Sequence, residues 1–395
     1  MRISARAAAR LRAGHLWVYR SDMVRVPNLA PGAVVTVEDL RGKRIGVALY
    51  SSSSQIALRM LGADLRSVDL PALVSERLRE SIAYRIRIVR DSDACRLVFS
   101  EADLLPGLIV DRYNDLLVFQ VLTQAMDAEP VREALISTLA KELSPAAILE
   151  KVEPRIRELE ELPQREPQVA YSTPGIEPRT STMITMNGIA FHVDVLGGQK
   201  TGAFLDQREN YAAAERQARG QALDVCTYQG GFALHLNRVC AHVTAVDSSR
   251  PALEAAEHNQ KLNASQYSGR EIEWLEGNAF DVLRDYSDAG KRFGTIVLDP
   301  PAFAKSKKNL DTAMRGYKEM NLRALKMLDR EGTLVTCSCS FHVSEAEFLE
   351  MLSAAALDAR RHVRILEMRA QSADHPILPG MPETHYLKCI ICSAY

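Results

Sequence analysis

Strand-like and helix-like segments alternate along the C-terminal half of this 395-residue chain. Short runs of apolar and β-branched residues are separated by longer stretches whose apolar positions recur every three or four residues, as in amphipathic helices. The strand-like runs are residues 222–225, 243–246, 273–275, 295–298 and 333–336, and two helix-like stretches are residues 251–262 and 314–328. Alternation at this spacing predicts an α/β fold with a doubly wound sheet.

The N-terminal part follows a different pattern. Residues 1–75 contain strand-like runs of five or six residues separated by turn signals such as Pro31-Gly32, which favours a small β-barrel. Helix-like and strand-like runs are mixed in residues 76–178, which indicates a small α+β unit. Within it, residues 150–179 are rich in proline and glutamate and are interpreted as a linker or an exposed hairpin. We therefore predict three domains: residues 1–75, 76–178 and 179–395.

Charge and cysteine content limit the class of protein. The formal net charge is −1, yet the first 45 residues hold nine basic and only three acidic side chains. This basic lobe is either a phosphate-binding surface or an ordinary solvated face. Seven irregularly spaced cysteines do not form the framework of a secreted disulfide protein, and no apolar run is long enough to span a bilayer. We expect a cytoplasmic protein without a membrane partner.

Three loops after successive strands carry side chains that suit a nucleoside. Asp224 is followed by a Tyr-Gln-Gly-Gly-Phe loop at residues 228–232, whose glycines allow close approach of a ligand. Asp247 ends the next strand, where a carboxylate can accept hydrogen bonds from both ribose hydroxyls. Asn278 and Phe280 follow the third strand and offer an amide and a ring to a base. Individually, the glycines could form a turn, Asp247 could cap a helix and Phe280 could be core. No G-x-G-x-x-G is present, so a diphosphate cradle is not predicted.

This succession of loops resembles the class I S-adenosylmethionine (SAM) dependent methyltransferases, whose Rossmann-like domain has motifs at the same strand ends. The resemblance implies SAM as cofactor and S-adenosylhomocysteine as product. It assigns Asp224, Tyr228 and Gly230 to the methionine part of SAM, Asp247 to the ribose, and Asn278 with Ala279 to the adenine. The family often has Asp at the position of Asn278.

The fourth and fifth strands lead into loops of chemical interest. Asp299-Pro300-Pro301 is a stiff turn without two amide donors, so a flat group can approach while Asp299 points at it. Phe303 and the lysines Lys305 and Lys307 follow, and the lysines could hold flanking phosphates. The alternative is a capping Asp299 with a solvated lysine loop.

Cys337 and Cys339 follow the fifth strand. A thiolate that adds to carbon 6 of a pyrimidine turns carbon 5 into a nucleophile that can attack a methyl sulfonium. A thiol with a pKa of about 8.5 must be helped to ionise at neutral pH, and Lys305, Lys307 or His342 could assist. A buried structural thiol pair is the other interpretation.

The cysteine loop is similar to that of the RNA cytosine-5 methyltransferases, in which a Thr-Cys-Ser after this strand carries the nucleophile. This similarity places Cys339, not Cys337, at the nucleophile position and implies catalytic roles for Cys339 and Asp299. Those enzymes often have a second cysteine in the Asp-Pro loop, where this chain has Ala302. The group that removes the carbon-5 proton is therefore left open.

The resemblance extends over the whole chain. Residues 14–19 and the strands after them resemble a PUA RNA-binding domain, and residues 101–113 resemble the central domain of the RlmI-type 23S ribosomal RNA methyltransferases. Residues 199–208 are similar to the segment of that family on the cofactor side. By this similarity, the residues expected to bind cofactor in the segment are Lys200, Thr201, Gly202, Phe204, Asp206 and Arg208. The implied activity is cytosine-5 methylation of large-subunit ribosomal RNA.

The resulting expectation is a SAM-dependent RNA methyltransferase with ribosomal RNA as its partner. Its substrate-binding residues are predicted to be Pro300, Pro301, Phe303, Lys305 and Lys307, with Asp299 also beside the cofactor. No metal site is predicted, since the Cys-x-x-Cys at residues 389–392 lies in an apolar strand-like run. Two alternatives are a SAM-dependent N-methyltransferase of an RNA base and a non-catalytic RNA-binding factor. The oligomeric state stays open, a homodimer included.

Overall fold

The computed structural model describes the chain except residues 26–27, 197–201, 268 and 305–306 and the side chain of Lys307. Its contacts divide it into two compact units. The first comprises Met1–Thr185, Val193–Leu205 and Ala373–Thr384, and the second Met186–His192, Asp206–Ser372 and His385–Tyr395. No helix among the described residues has both the length and the apolar character needed to cross a membrane.

The first unit begins with a helix on an antiparallel sheet. The elements are α1 (Ala5–Arg12), β1 (Trp17–Tyr19), β2 (Val34–Glu38), β3 (Arg44–Tyr50) and β4 (Ile56–Gly62), and the strand order is β1-β4-β3-β2. Ser4 caps α1 by accepting a hydrogen bond from the Ala7 amide at 3.1 Å. The apolar face of α1, with Ala7 and Leu11, packs on Val18 and Leu58 to form a small core.

A second, five-stranded sheet follows in the same unit. The elements are α2 (Leu70–Ile88), β5 (Ala94–Phe99), β6 (Leu108–Tyr113), β7 (Leu116–Val121), α3 (Glu129–Leu143), β8 (Ala147–Glu150), α4 (Pro154–Leu159) and β9 (Gln168–Ser172). The strands are ordered β5-β6-β7-β8-β9, and only β7 and β8 run parallel. The mixture of helices and strands predicted for residues 76–178 is present.

Of the two interpretations of residues 150–179, the linker is wrong, whereas β8 and the partly exposed β9 do pair as neighbouring antiparallel strands. Pro154 opens α4, a position that tolerates proline because the first helical amides need no partner. Strand β9 then pairs antiparallel with β8, with Tyr171 opposite Ile148. Arg157 and Glu160 are buried although both are charged. The segment is thus part of the sheet unit, to which it contributes these two buried side chains.

Buried ion pairs join α3 to the strands beneath it. The Arg132 guanidinium donates to both oxygens of the Glu150 carboxylate, at 2.8 and 2.6 Å, and both side chains are almost fully buried. Gln168 on β9 donates to the same carboxylate at 2.9 Å. Burial opposes ionisation of Glu150, but these hydrogen bonds and the Arg132 charge outweigh it and lower the pKa of the carboxyl.

The chain continues through a two-stranded sheet of β10 (Ser181–Met186) and β11 (Ile189–Asp194). The main elements of the second unit are α5 (Arg208–Gln217), β12 (Gln221–Val225), α6 (Gly231–Leu236), β13 (His242–Asp247), α7 (Arg250–Leu262), β14 (Ile272–Glu276), α8 (Ala279–Asp288), β15 (Phe293–Leu298), α9 (Leu310–Met327), β16 (Leu328–Ser338), α10 (Glu345–Asp358), β17 (Val363–Arg369) and β18 (Lys388–Ala394).

These strands form a seven-stranded sheet in the order β14-β13-β12-β15-β16-β18-β17. Strands β12 to β16 are all parallel to one another, whereas β18 is antiparallel to both β16 and β17. The five strands predicted in this region are confirmed. Apolar runs such as Phe293–Leu298 are buried along their whole length, as expected for strands with helices on both faces of a sheet.

The Arg132–Glu150 pair allows a prediction about stability. Arg132→Ala is expected to lower the free energy of unfolding by about 3–5 kcal/mol, because it removes the closest cation from a buried carboxylate and leaves it only the more distant Arg165, at 3.8 Å. Urea unfolding followed by circular dichroism measures the loss. Glu150→Gln in the same background should recover part of it, since the uncompensated charge is then absent. An Arg132→Ala variant as stable as wild type would contradict the importance of this pair.

Candidate active site

The loop after β12 brings backbone very close to its surroundings. Cys226, Tyr228 and Gly230 all have positive φ angles, of 67°, 52° and 86°. Such conformations are costly for residues other than glycine and are concentrated at functional sites. A Cβ at Gly231 would lie 2.4 Å from the Tyr211 ring, so only glycine fits there. The loop is therefore held in a strained shape, and its residues are half-buried or buried.

Asp224 is fully buried at the end of β12. One of its oxygens accepts a hydrogen bond from Thr227 Oγ1 at 2.6 Å, while Oδ1 has no hydrogen-bond partner among the described residues. Burial raises the pKa of Asp224 to about 7, the Thr227 hydrogen bond opposes this rise, and the negative charge of Asp299 adds to it. A half-ionised carboxyl with an unsatisfied oxygen is a suitable partner for a cationic ligand.

Asp247 connects the first and second loops. Its carboxylate accepts hydrogen bonds from the Tyr228 amide at 2.8 Å and the Ser249 amide at 2.9 Å, and its carbonyl accepts from Gly277 at 2.9 Å. The residue is only half-buried. Each carboxylate oxygen can accept a further hydrogen bond, so Asp247 can bind hydroxyl groups while it holds the loops together.

Asn278 is the N-cap of α8. Its side-chain oxygen accepts from the Phe280 amide at 2.9 Å and more weakly from Asp281, and the residue is exposed. This capping role suits either Asn or Asp, because both residues are good N-caps. Ala279 begins the helix. The NH2 group of Asn278 has no partner among the described residues and is available to a ligand.

Asp299 directly follows β15 and is oriented by a chain of amides. Gln207 Nε2 donates to Asp299 Oδ2 at 3.0 Å, and Asn210 Nδ2 donates to Gln207 Oε1 at 2.6 Å. Gln207 and Asn210 are both buried. The Asp299 backbone amide donates to the Val225 carbonyl at 3.2 Å, which fixes the start of the turn. The carboxylate is consequently held in one orientation.

Aromatic rings lie beside the Asp-Pro-Pro turn. Phe303 stacks on Phe280 with ring centroids 5.9 Å apart and contacts Tyr317 at 4.7 Å. Phe303 is half-buried and Pro301 is exposed, whereas Pro300 is buried. The turn thus combines an apolar surface with a fixed carboxylate, which is what a flat polar ring requires.

Cys339 lies one residue beyond the end of β16 and is half-buried. Its Sγ is 4.0 Å from the Pro300 carbonyl oxygen, so the thiol is next to the Asp-Pro-Pro turn. The serines on either side, Ser338 and Ser340, both hydrogen-bond to the Tyr317 hydroxyl, at 3.0 and 2.9 Å. These bonds hold the backbone around Cys339 in place.

Cys337 has a different environment. It is fully buried and lies opposite Cys389 of β18. Burial, together with the neighbouring Cys389, raises the pKa of the Cys337 thiol well above its usual value. A thiol of this kind is not ionised at neutral pH and does not reach a ligand. Of the two cysteines, only Cys339 combines partial exposure with contact to the Asp-Pro-Pro turn.

The remaining predicted residues are distributed as follows. Gly202 and Phe204 are in the first unit, where a Cβ at Gly202 would lie 2.7 Å from Val193 Cγ1. Asp206 and Arg208 are buried in the second unit, and the Tyr386 hydroxyl donates to Asp206 Oδ2 at 2.6 Å. Lys200, Thr201 and Lys305 lie outside the described residues, as does the side chain of Lys307.

Sequence reasoning missed several contacts of this site, namely Gln207, Asn210, Tyr317, Ser338 and Ser340. A signal was present for the serines, because Ser338 and Ser340 flank the cysteine in a Thr-Cys-Ser-Cys-Ser run. Tyr317 lies in the helix-like stretch of residues 314–328, where its position predicts only an apolar helix face. Its hydroxyl contacts depend on how α9 packs against β16, and this cannot be obtained from helix periodicity.

Comparison with known proteins agrees with this geometry. Residues 1–62 match the family model described as a PUA-like domain, and residues 117–380 match that of the S-adenosylmethionine-dependent methyltransferases. The crystal structure of SMU.776 complexed with SAH, a protein classed as a methyltransferase, superposes with a TM-score of 0.83 at 16% identity, covering 100% of this chain and 99% of that chain. The predicted fold class is confirmed, and so is SAM as the cofactor.

Curated relatives match over nearly their whole length. Two of these relatives carry the same name, "Ribosomal RNA large subunit methyltransferase I". The protein from Pseudoalteromonas translucida is 35% identical over 392 residues, covering 98% of this chain and 96% of the relative. The one from Tolumonas auensis is 38% identical over 386 residues, covering 96% and 95%. The chain therefore belongs to the SAM-dependent methyltransferases, in the family of ribosomal RNA large subunit methyltransferase I.

Proposed function

We propose that this protein methylates carbon 5 of a cytosine in large-subunit ribosomal RNA through a covalent bond between Cys339 and carbon 6. The observation that carries the proposal is the placement of a half-buried thiol beside the Asp299-Pro300-Pro301 turn, 4.0 Å from the Pro300 carbonyl. The names of the curated relatives support ribosomal RNA as the substrate. The reaction takes place in the cytoplasm.

Three domains divide this work, over residues 1–75, 76–178 and 179–395. The PUA-like match at residues 1–62 supports an RNA-binding role for the first. Two acidic side chains of this region form ion pairs with arginines. Asp22 pairs with Arg6 at 3.1 Å and with Arg10 at 3.0 Å, and Asp39 pairs with Arg12. Other basic side chains remain exposed to bind phosphates, at Arg25, Arg41, Lys43 and Arg44.

The residues after β12, β13 and β14 fit SAM. The Asp224 oxygen without a hydrogen-bond partner suits a cation, and the glycine loop leaves no room for a side chain. The Asp247 carboxylate can accept hydrogen bonds from the ribose, and the Asn278 NH2 group can donate one to the adenine. SAM supplies an electrophilic methyl group on a sulfonium. The residues that hold it are Asp224, Tyr228, Gly230, Asp247, Asn278, Ala279 and Asp299, joined by the segment with Lys200, Thr201, Gly202, Phe204, Asp206 and Arg208.

The chemistry of the chain itself starts at the thiol. The Cys339 thiolate adds to carbon 6 of a cytosine displaced from its stack, and the electron pair of the 5,6 double bond moves to carbon 5. Carbon 5 accepts the methyl group. Loss of the carbon-5 proton then restores the double bond, the bond between sulfur and carbon 6 breaks, and the thiolate is regenerated. One methyl group has replaced one hydrogen, and one proton is released.

Asp299 orients the base during these steps. Its carboxylate, fixed by Gln207, accepts a hydrogen bond from the edge of the cytosine and stabilises the adduct. Pro300, Pro301 and Phe303 supply the apolar surface against which the ring lies. Lys305 and Lys307 bind the phosphates on either side of it.

Substitution of the two cysteines separates their roles. Cys339→Ala is expected to retain SAM binding but to lose methyl transfer to ribosomal RNA, because the nucleophile is gone. Cys337→Ala is the matched control: it removes a buried thiol two residues earlier, in β16, and should remain active. Tritium transfer from labelled SAM to RNA measures methyl transfer by the two variants. An active Cys339→Ala variant would sink the covalent mechanism.

A base N-methyltransferase is the second candidate, because an Asp-Pro-Pro turn with an aromatic beside it also suits attack by a ring or exocyclic nitrogen, which needs no thiol. RNA with 5-fluorocytosine distinguishes the two, since fluorine cannot leave as the proton does and the adduct persists. Mass spectrometry should find the RNA attached to Cys339. Transfer to ordinary RNA without any trapped adduct would favour N-methylation. SAM binding without any transfer would leave a non-catalytic RNA-binding factor.

Asp224 gives SAM binding a predictable pH dependence. The pKa of Asp224 is about 7 in the protein without ligand, and a cation beside it favours the ionised form. SAM affinity should therefore rise with pH and level off above the pKa, by up to about tenfold per pH unit below it. Asp224→Asn should bind more weakly and lose this slope. Calorimetric titration between pH 5.5 and 8.5 measures both, and equal slopes in the two proteins would refute the assignment.

The basic lobe makes a prediction about RNA binding. Arg41, Lys43 and Arg44 are exposed around the turn between β2 and β3. Their joint change to Gln should weaken RNA binding and lower the slope of log K against log salt by about 0.7 for each phosphate of single-stranded RNA that is no longer neutralised. The control is the triple change of exposed lysines Lys261, Lys291 and Lys326 to Gln. Fluorescence anisotropy at several salt concentrations gives the slopes, and equal losses in both triples would reject a localised RNA surface.

A further inference from the structure

A buried lysine lies beside the proposed nucleophile. Lys388 is the first residue of β18, pairs with Ser338 of β16, and is only 3% exposed. Its Nζ donates hydrogen bonds to the carbonyl oxygens of Ser340 at 2.7 Å and Tyr386 at 2.9 Å. Because Ser338 and Ser340 are the two neighbours of Cys339, the lysine side chain extends along the turn that carries the thiol.

A buried ammonium is costly unless nearby groups compensate for its charge. No carboxylate lies within ion-pair distance of Lys388 among the described residues; its two partners are neutral carbonyls. The charges that favour its protonated form are Cys339 on the turn, and Glu345 and Glu347 on α10. Glu347 already accepts two hydrogen bonds from Ser344 in a capping box.

Lys388 is charged in most molecules at neutral pH. Burial lowers its pKa to about 8, with Cys339 as the largest opposing influence. An ammonium has three hydrogens, and the third has no partner among the described residues. A cation with a hydrogen to donate, next to a thiol, is an arrangement that lowers thiol pKa values in other reactive sites.

We propose that Lys388 is a positioning residue for Cys339: its ammonium, held on the carbonyl oxygens of Ser340 and Tyr386, stabilises the Cys339 thiolate. When the thiol ionises, the S–H bonding pair stays on sulfur and the proton passes to water. Lys388 keeps all its protons and touches neither RNA nor cofactor. Its catalytic consequence rests on the proposed role of Cys339 as nucleophile, but its effect on the thiol does not.

The test measures the ionisation of Cys339 directly. The full-length protein without RNA is alkylated with iodoacetamide between pH 5.5 and 10, and peptide mass spectrometry follows the modification of Cys339 alone. In wild type the rate should follow an apparent pKa below the ordinary value of about 8.5. Lys388→Met, which keeps the length of the side chain but not the charge, should raise that pKa by at least about one unit, a tenfold drop in thiolate at pH 7.

Two variants separate charge from structure. Lys388→Arg keeps a cation and should retain a thiol pKa below the ordinary value. Lys326→Met, the same substitution at an exposed lysine of α9, should leave Cys339 as in wild type. Thermal unfolding verifies that each variant is folded. A purely structural role for Lys388 would lower the melting temperature without moving the thiol pKa.

The outcomes are decisive in both directions. A wild-type Cys339 pKa at or above about 8.5 would overturn the proposal, even if Lys388→Met fails to fold. An unchanged pKa in a folded Lys388→Met protein would overturn it as well. The alkylation experiment contains no RNA and therefore tests the role of Lys388 separately from the proposed function. If Lys388→Met raises the thiol pKa but the wild-type protein leaves cytosine carbon 5 unmodified, the role of Lys388 is upheld and the proposed function is rejected.

Discussion

The parallel register of four strands places every candidate reactive group of the second unit. Val246, Val225, Leu298 and Thr336 lie in one row across β13, β12, β15 and β16. The chain leaves the sheet just after this row, so the next few residues of each strand lie along one edge. Asp247, Asp224, Asp299 and Cys339 all come from that row or from positions within three residues of it. A one-residue slip of any strand would turn its side chains to the other face.

The strand register determines which side chains reach this edge of the sheet. Hydrogen bonds between the loops then fix the positions of those side chains. Asp247 accepts the amide of Tyr228 from the neighbouring loop, and Ser340 Oγ accepts the Ala304 amide at 3.1 Å from the loop after β15. Each bond connects two loops that are far apart in sequence but adjacent at the sheet edge. The site is therefore held mainly by its own loops, and the helices add the Tyr317 hydroxyl of α9 and the Asn210 amide of α5, which holds Gln207 against Asp299.

The features that could be predicted from the sequence are those that depend on the pattern of neighbouring residues. Strand runs, the acids that end them and the Asp-Pro-Pro turn follow from composition and spacing, and the structure has each of them in the expected place. Two features could not be predicted in this way. The proline-rich segment after β8 has the composition of a linker, yet buried pairing of Arg157 with Asp127 at 3.1 Å incorporates it in the sheet unit. Lys388 reaches the Cys339 turn only through antiparallel pairing with a strand about fifty residues earlier.

The distinction between the two cysteines shows why such contacts decide function. Residues two apart on a strand face the same side, so the pattern alone gives Cys337 and Cys339 equal status. The strand ends at Ser338, and Cys339 departs from the strand geometry into the turn. At this edge the carboxylates oppose ionisation of thiols: burial and then Asp247, Asp299 and Asp224 raise the pKa of Cys226. A thiolate at Cys339 needs a compensating positive charge on its other side, and β18, entering antiparallel with a buried lysine at its first residue, provides it.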